Sequence, residues 1–347
     1  MQEKIKISLP TNVLNTLKLD CKNFNIVKAD GTPNFNSFIN TLIVNFYEGF
    51  TANEETSQDE ISKIVSILPD RYRETIFNGV VKAMAKRNSN ITDKNSSTFS
   101  FKPTKSSEKA VSFIENIILA NESLSSFYRR LFISYTSRPQ PKREIIIFKE
   151  NYDLLQKAIK KGVQACIVTK GDRIKNTSIY AVASAKEELY NYVLSSDEQD
   201  LYTLRLANVK SVSLLSKKAE TPNDVKEIFE RQIRCGVQYP IYRDEDQLIK
   251  VIMSNKGLYL YKKIYLYRPD PIKIEGNVFF FDCSVNQAMH YFKRFGVDAI
   301  IVEPEKIAKM MYTYYAGATR KYLTAINLPP YSISKDTIKS LKDKKGK

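Results

Sequence analysis

The chain has 347 residues and a formal net charge of +16 at pH 7, from 54 Lys and Arg against 38 Asp and Glu. It carries one histidine, His290, and no tryptophan, which excludes a histidine-rich metal site and leaves a Ser–His–Asp or Cys–His engine only His290 to use. The four cysteines (Cys21, Cys166, Cys235 and Cys283) form no CxxC pair, and no run approaches the ~18 apolar residues of a membrane span.

The start, MQEKIKISLP, lacks an apolar leader stretch, so a cytoplasmic protein with reduced thiols, off the membrane, is expected. No cofactor is implied. A charge of this size favours a polyanionic partner. The excess is uneven: residues 1–50 carry +1 and residues 51–91 carry none, whereas 92–143 carry +5, 144–219 carry +3 and 220–347 carry +7. The positive field begins past the first domain.

Glu3-Lys4-Ile5-Lys6-Ile7-Ser8-Leu9 alternates polar and apolar residues, the period of a half-buried strand. A helix follows with Val13, Leu14, Leu17 and Cys21 on one face. A second helix starts near Asn36 or Ser37, with Phe38, Ile39, Leu42, Ile43, Phe46 and Tyr47 as its apolar positions. Strand, helix, helix within residues 1–50, with its I-x-I-x-L-P and S-F-I-N starts, resembles the ribbon–helix–helix motif. One such unit leaves a strand edge unpaired, so the motif implies a dimer with paired ribbons. The resemblance also implies that Lys4, Lys6 and Ser8, on the outward face, are candidate DNA contacts. The plainer alternative is a solvated face.

Residues 51–150 read as a helical connector, broken at Leu68-Pro69-Asp70 and interrupted by a polar loop at 88–106. Helices resume at 107–120 and 123–135, and residues 144–148 (Glu-Ile-Ile-Ile-Phe) read as a strand. An amphipathic helix over 151–161 stops at Gly162. Five strand-like runs follow, at 163–169, 179–184, 189–195, 201–206 and 209–215. One helix with five short strands over 151–219 points to a small bent barrel of the Sm or SH3 type.

The third run, Tyr190-Asn191-Tyr192-Val193-Leu194, is similar to the signature strand of WYL domains. Leu204-Arg205-Leu206-Ala207-Asn208-Val209 resembles a second family motif and keeps its first arginine. The resemblance implies a ligand groove around Tyr192 and Arg205 that takes nucleic acid or nucleotide. The chemistry suits that use: a tyrosine ring can stack a base, and a guanidinium can grip phosphate. Lys170, Arg173 and Lys175 add three cations in a neighbouring loop. Alternatively, Tyr192 is core and Arg205 pairs with an acid such as Asp200.

Residues 220–330 alternate helix and strand: a helix at 223–234, strands at 248–254, 258–267 and 278–283, a helix capped by Ser284, a strand at 299–302 and a last helix from Pro304. The tyrosine-rich run 258–267 reads as a strand with one wet face. His290 falls on the polar side of its helix and is expected to be solvated. The segment resembles the C-terminal extension that follows WYL domains and helps them dimerise. Ile307, Met310, Met311, Tyr314 and Tyr315 are its candidate dimer interface, with a helical core as the alternative. A basic tail, 331–347, closes the chain.

The whole order, an α+β multidomain chain, is similar to the WYL accessory proteins of type VI-D CRISPR systems. That resemblance implies a homodimer that binds single-stranded RNA, and the groove of Tyr192, Arg205 and the Lys170 loop is the expected contact. It further implies that the dimer stimulates an RNA-guided RNase effector in antiviral defence and does no catalysis itself. The alternative is a ribbon–helix–helix DNA-binding transcriptional regulator whose WYL domain senses a nucleotide or nucleic-acid ligand.

Overall fold

The computed structural model describes residues 4–89, 96–118, 123–171, 173–243 and 247–326, with the backbone alone for 82, 84–89, 117–118 and 173–176. The basic tail therefore lies outside the described residues. The chain divides into two compact units, residues 1–225 and 226–347. Among the described residues no helix is long and apolar enough to cross a membrane.

The first unit opens with β1 (Ile5–Pro10), α1 (Thr11–Asn23) and α2 (Phe35–Val65). The cap of α2 is Asn34, whose side chain accepts from Ser37 N at 3.1 Å. Neither Asn36 nor Ser37, where the helix was expected to start, takes that role. Asn36 and Asn40 bond instead to the backbone of Lys102. Phe38, Ile39, Leu42, Ile43 and Phe46 are buried as their spacing requires. The helix runs on past residue 50, where the first domain was expected to end, and is followed by α3 (Asp70–Ser89).

The ribbon differs from its sequence expectation. Ser96–Phe101, within the segment read as a loop, forms β2 and pairs antiparallel with β1, Lys6 opposite Ser100 and Ser8 opposite Thr98. The edge that seemed to need a second copy is satisfied within the chain. α4 (Glu108–Phe113), extended by a wider turn over Ile114–Ile118, and α5 (Leu124–Thr136) complete this layer. Its core joins Ile7, Leu9, Leu17, Phe38, Leu131 and Phe132.

Residues 144–148 are not a strand. They fall in α6 (Gln140–Ile147), which begins after Pro139 with Pro141 in its first turn, where a missing N–H costs nothing. Glu144 and Ile147 form its buried side. α7 (Lys149–Lys161) ends at Gly162, whose φ of 62° is the left-handed cap that Gly allows.

Five strands follow: β3 (Val163–Thr169), β4 (Arg173–Ser184), β5 (Asn191–Ser196), β6 (Leu201–Arg205) and β7 (Val209–Lys218). They form one antiparallel sheet in the order β6-β5-β4-β3-β7. The expected closed barrel is absent, because the edge strands β6 and β7 share no ladder. A three-residue turn (Leu206–Asn208) joins them, and Leu206 packs into the core with Leu155, Ile167 and Val193.

The second unit begins within α8 (Asn223–Cys235). It continues with β8 (Ile249–Met253), α9 (Asn255–Lys263), β9 (Pro271–Glu275), β10 (Val278–Phe281), α10 (Val285–Phe292), β11 (Ala299–Glu303) and α11 (Glu305–Ala325). The sheet order is β11-β8-β10-β9, antiparallel throughout. The tyrosine-rich run is largely helix α9 rather than a strand. Ser254 caps it by accepting from Gly257 N at 3.0 Å, and Leu258, Tyr261 and Ile264, three apart, pack on the core. Gly257 is required there: a Cβ would stand 2.0 Å from the Asp298 carbonyl oxygen. His290 is half-buried against the Tyr267 ring at 4.9 Å rather than solvated.

Candidate nucleic-acid interface

The ladder between β5 and β6 sets Tyr192 opposite Arg205. Paired residues on adjacent strands project to the same face, so the ring and the guanidinium named from the sequence share one surface. Both are half-buried.

Arg205 is held from three sides. Its guanidinium carbon lies 3.3 Å from the centre of the Tyr190 ring. One terminal nitrogen donates to the Asn23 carbonyl oxygen at 2.5 Å. Its Nε stands 3.9 Å from Glu144 Oε1, a charge contact too long for a hydrogen bond. The acid beside Arg205 is thus Glu144 and not Asp200. With 24% of the side chain still exposed, the cation keeps an open edge.

Glu144 itself is fully buried. Its Oε2 accepts from Asn191 N at 2.7 Å and Asn191 Nδ2 at 2.9 Å. Burial pushes its carboxyl above the ordinary carboxylate range, against the pull of those bonds and of Arg205. The Asn191 amide and backbone N–H together serve as the anchor for this acid.

Lys170 reaches the same region. Its Nζ donates to the Asn25 carbonyl at 2.7 Å, and its pKa is lowered first by desolvation and then by Arg205. Asn23 ends α1 and Asn25 follows it, so both cations sit at the negative end of a helix dipole. Lys170 remains exposed. The Tyr192 hydroxyl donates to Glu188, and burial with that contact raises its pKa. Tyr192 therefore stays neutral and can offer only ring and hydroxyl. Arg173 and Lys175 lie on β4, with side chains outside the described residues.

The other sequence candidates lie elsewhere. Lys4 and Lys6 are exposed and Ser8 is half-buried, its carbonyl accepting from Arg129 Nε at 2.9 Å. Of the five candidate dimer residues, Ile307 and Met311 are buried in the second unit's own core, as the alternative reading of the stripe has it. Tyr315 is half-buried and donates to the Lys293 carbonyl. Met310 and Tyr314 are exposed, at 42% and 49%. Tyr190, Glu144 and Asn23 were not foreseen as partners. Among the described residues no group of His, Cys, Asp and Glu is placed to hold a metal ion.

No protein-family model matches the chain, and no curated protein matches it by sequence. Its fold is similar to a solved structure described as the crystal structure of a CRISPR Cas-related protein. The likeness covers 94% of this chain and 95% of that one, with a TM-score of 0.68 and 18% identity. The two share a fold over nearly their whole length. The proteasome accessory factor B/C (PafBC) of Arthrobacter aurescens aligns over 62% of this chain and 35% of its own at 13% identity, with a TM-score of 0.24, too low to bear on the fold.

Proposed function

We propose that the protein is a single-stranded RNA-binding accessory of a CRISPR system, working as a homodimer that stimulates an RNA-guided RNase effector without catalysis of its own. The observation that carries this is the shared face of Tyr192 and Arg205 with exposed Lys170 close by, on a chain of net charge +16. A base can stack on the half-buried ring while Lys170 and the open edge of Arg205 meet phosphate. The likeness of fold to a CRISPR Cas-related protein supports the system assigned.

The test is binding of a short single-stranded RNA and a duplex DNA of equal length at fixed salt, for the wild type and Lys170→Ala. The reading expects RNA to bind better and Lys170→Ala to weaken it. Preference for a duplex of defined sequence, abolished by changing Lys4 and Lys6, would sink it in favour of a DNA-binding regulator.

A further inference from the structure

The first unit repeats itself. β1, α1 and α2 are followed by β2, α4 and α5 in the same order, and the two strands pair antiparallel. Lys6 and Ser100 face each other at the centre of the ribbon. Along the chain through this pair, Lys4, Ile5, Lys6 and Ile7 are exposed, half-buried, exposed and buried; Thr98, Phe99, Ser100 and Phe101 follow the same pattern.

The second helices match as closely. Asn34 caps α2 by accepting from Ser37 N, and Ser123 caps α5 by accepting from Ser126 N. Phe38, Leu42 and Phe46 then recur at equal spacing as Phe127, Leu131 and Tyr135, all buried. Phe46 and Tyr135, equivalent positions, meet with ring centres 6.2 Å apart.

A side-chain bond repeats too. Three residues after Ser37, Asn40 donates to the carbonyl of Lys102, two residues past Ser100; three residues after Ser126, Arg129 donates to the carbonyl of Ser8, two residues past Lys6. The packing is crossed in the same sense, α1 on α5 and α4 on α2.

We infer that residues 5–136 hold two strand–helix–helix repeats fused in one chain, so that each chain presents its own complete ribbon, with a lysine-rich end that contacts the phosphodiester backbone of nucleic acid. Lys4 and Lys102 flank the Ile5–Phe101 pair, next to Lys6, and all three are exposed and free of ion pairs among the described residues. The other end offers Ser8, Thr98 and Ser96. The surface is therefore asymmetric, as one shared by two identical chains cannot be, and a homodimer would carry two of them rather than one. This contact surface is separate from the one around Arg205.

Two readouts on the full chain decide the matter. Cross-strand partners have Cα atoms about 4.5–5.5 Å apart, within the range a disulfide bridges. Under mild oxidation, Lys6→Cys/Ser100→Cys should therefore lose two thiols at monomer mass, while Lys6→Cys alone should give no linked dimer. Disulfide-linked dimers from Lys6→Cys alone, or a double variant that stays reduced, would overturn the fused repeat. Neither result depends on nucleic acid, so it stands apart from the RNA reading.

For the surface, Lys4→Ala/Lys6→Ala/Lys102→Ala is compared with the wild type on single-stranded RNA and on duplex DNA of equal length. A loss of about tenfold in either arm at low salt supports the surface and names its source. Unchanged affinity in both arms would refute it.

Discussion

The guanidinium of Arg205 lies 3.3 Å above the ring of Tyr190, with buried Glu144 as its nearest acid. The cation proposed to meet RNA is thus also structural. Removing it strips the Tyr190 ring of its stacked cation and takes the nearest positive charge from buried Glu144, and both losses destabilise the fold. Arg205→Ala should therefore lower both the denaturant midpoint and RNA affinity. Arg205→Lys should fall between, since an ammonium keeps charge but not the stacking plane. A wild-type midpoint in Arg205→Ala would refute the structural role, and wild-type affinity would refute the groove.

Lys170 gives the cleaner test of RNA contact because it is exposed. Lys170→Ala should leave the melting temperature within about 1 °C of wild type, as surface changes do. RNA affinity should fall, and the log–log salt slope should flatten by about 0.7 for the lost phosphate contact. An unaltered slope would show that Lys170 meets no phosphate.

Glu144 makes stability depend on pH in a defined sense. Burial raises its folded pKa above the ordinary carboxylate value, so folding favours protonation relative to the unfolded chain. Its contribution is full below the unfolded value and is lost as pH rises through the folded one. Glu144→Gln keeps the shape and an acceptor for Asn191 without the titration. The stability of wild type relative to Glu144→Gln should therefore be lowest near pH 7 and rise as pH falls toward 4.5. Parallel pH curves from urea melts would exclude the shift.

Arg143 grips both oxygens of Asp20, at 2.7 and 3.0 Å, and the Tyr135 hydroxyl adds a third bond at 3.0 Å. Asp20 is fully buried. Asp20→Ala leaves the arginine unpaired and should cost about 3–5 kcal/mol, read by urea unfolding. Tyr135→Phe, which removes one bond, should cost about 1 kcal/mol.

Gly257→Ala should destabilise the second unit, because the new methyl would meet the Asp298 carbonyl at 2.0 Å. A strained, overpacked site of this kind costs about 1–3 kcal/mol. Faster amide exchange in β11 and α9, with β3–β7 unchanged, would localise the effect. A variant as stable as wild type would contradict the close approach.

Much of the fold could be read from periodicity and caps. The alternation of Ile5, Ile7 and Leu9 gave β1; the spacing of Phe38 to Phe46 gave the core face of α2; Ser284 and Gly162 marked true helix ends. The failures have a common cause. Ile145, Ile146 and Ile147 are β-branched, and the 258–267 run is aromatic, so local propensity favoured strand where capping and packing made helix. β2 was hidden because Ser and Thr occupy most of it, and only its ladder with β1 makes it a strand. At the candidate site, Tyr192 and Arg205 were legible from their motifs. The roles of Glu144, Tyr190 and Asn23 depend on chain reversals far apart in sequence, which no local pattern encodes.

The intrachain pairing of β1 with β2 also changes what dilution can do. A ribbon assembled from two separate polypeptides comes apart as protein concentration falls, and its melting point drifts downward with it. One closed inside a single polypeptide holds at any concentration, down to a lone molecule in a cell. Whatever this surface binds, it is ready to bind before any second subunit arrives.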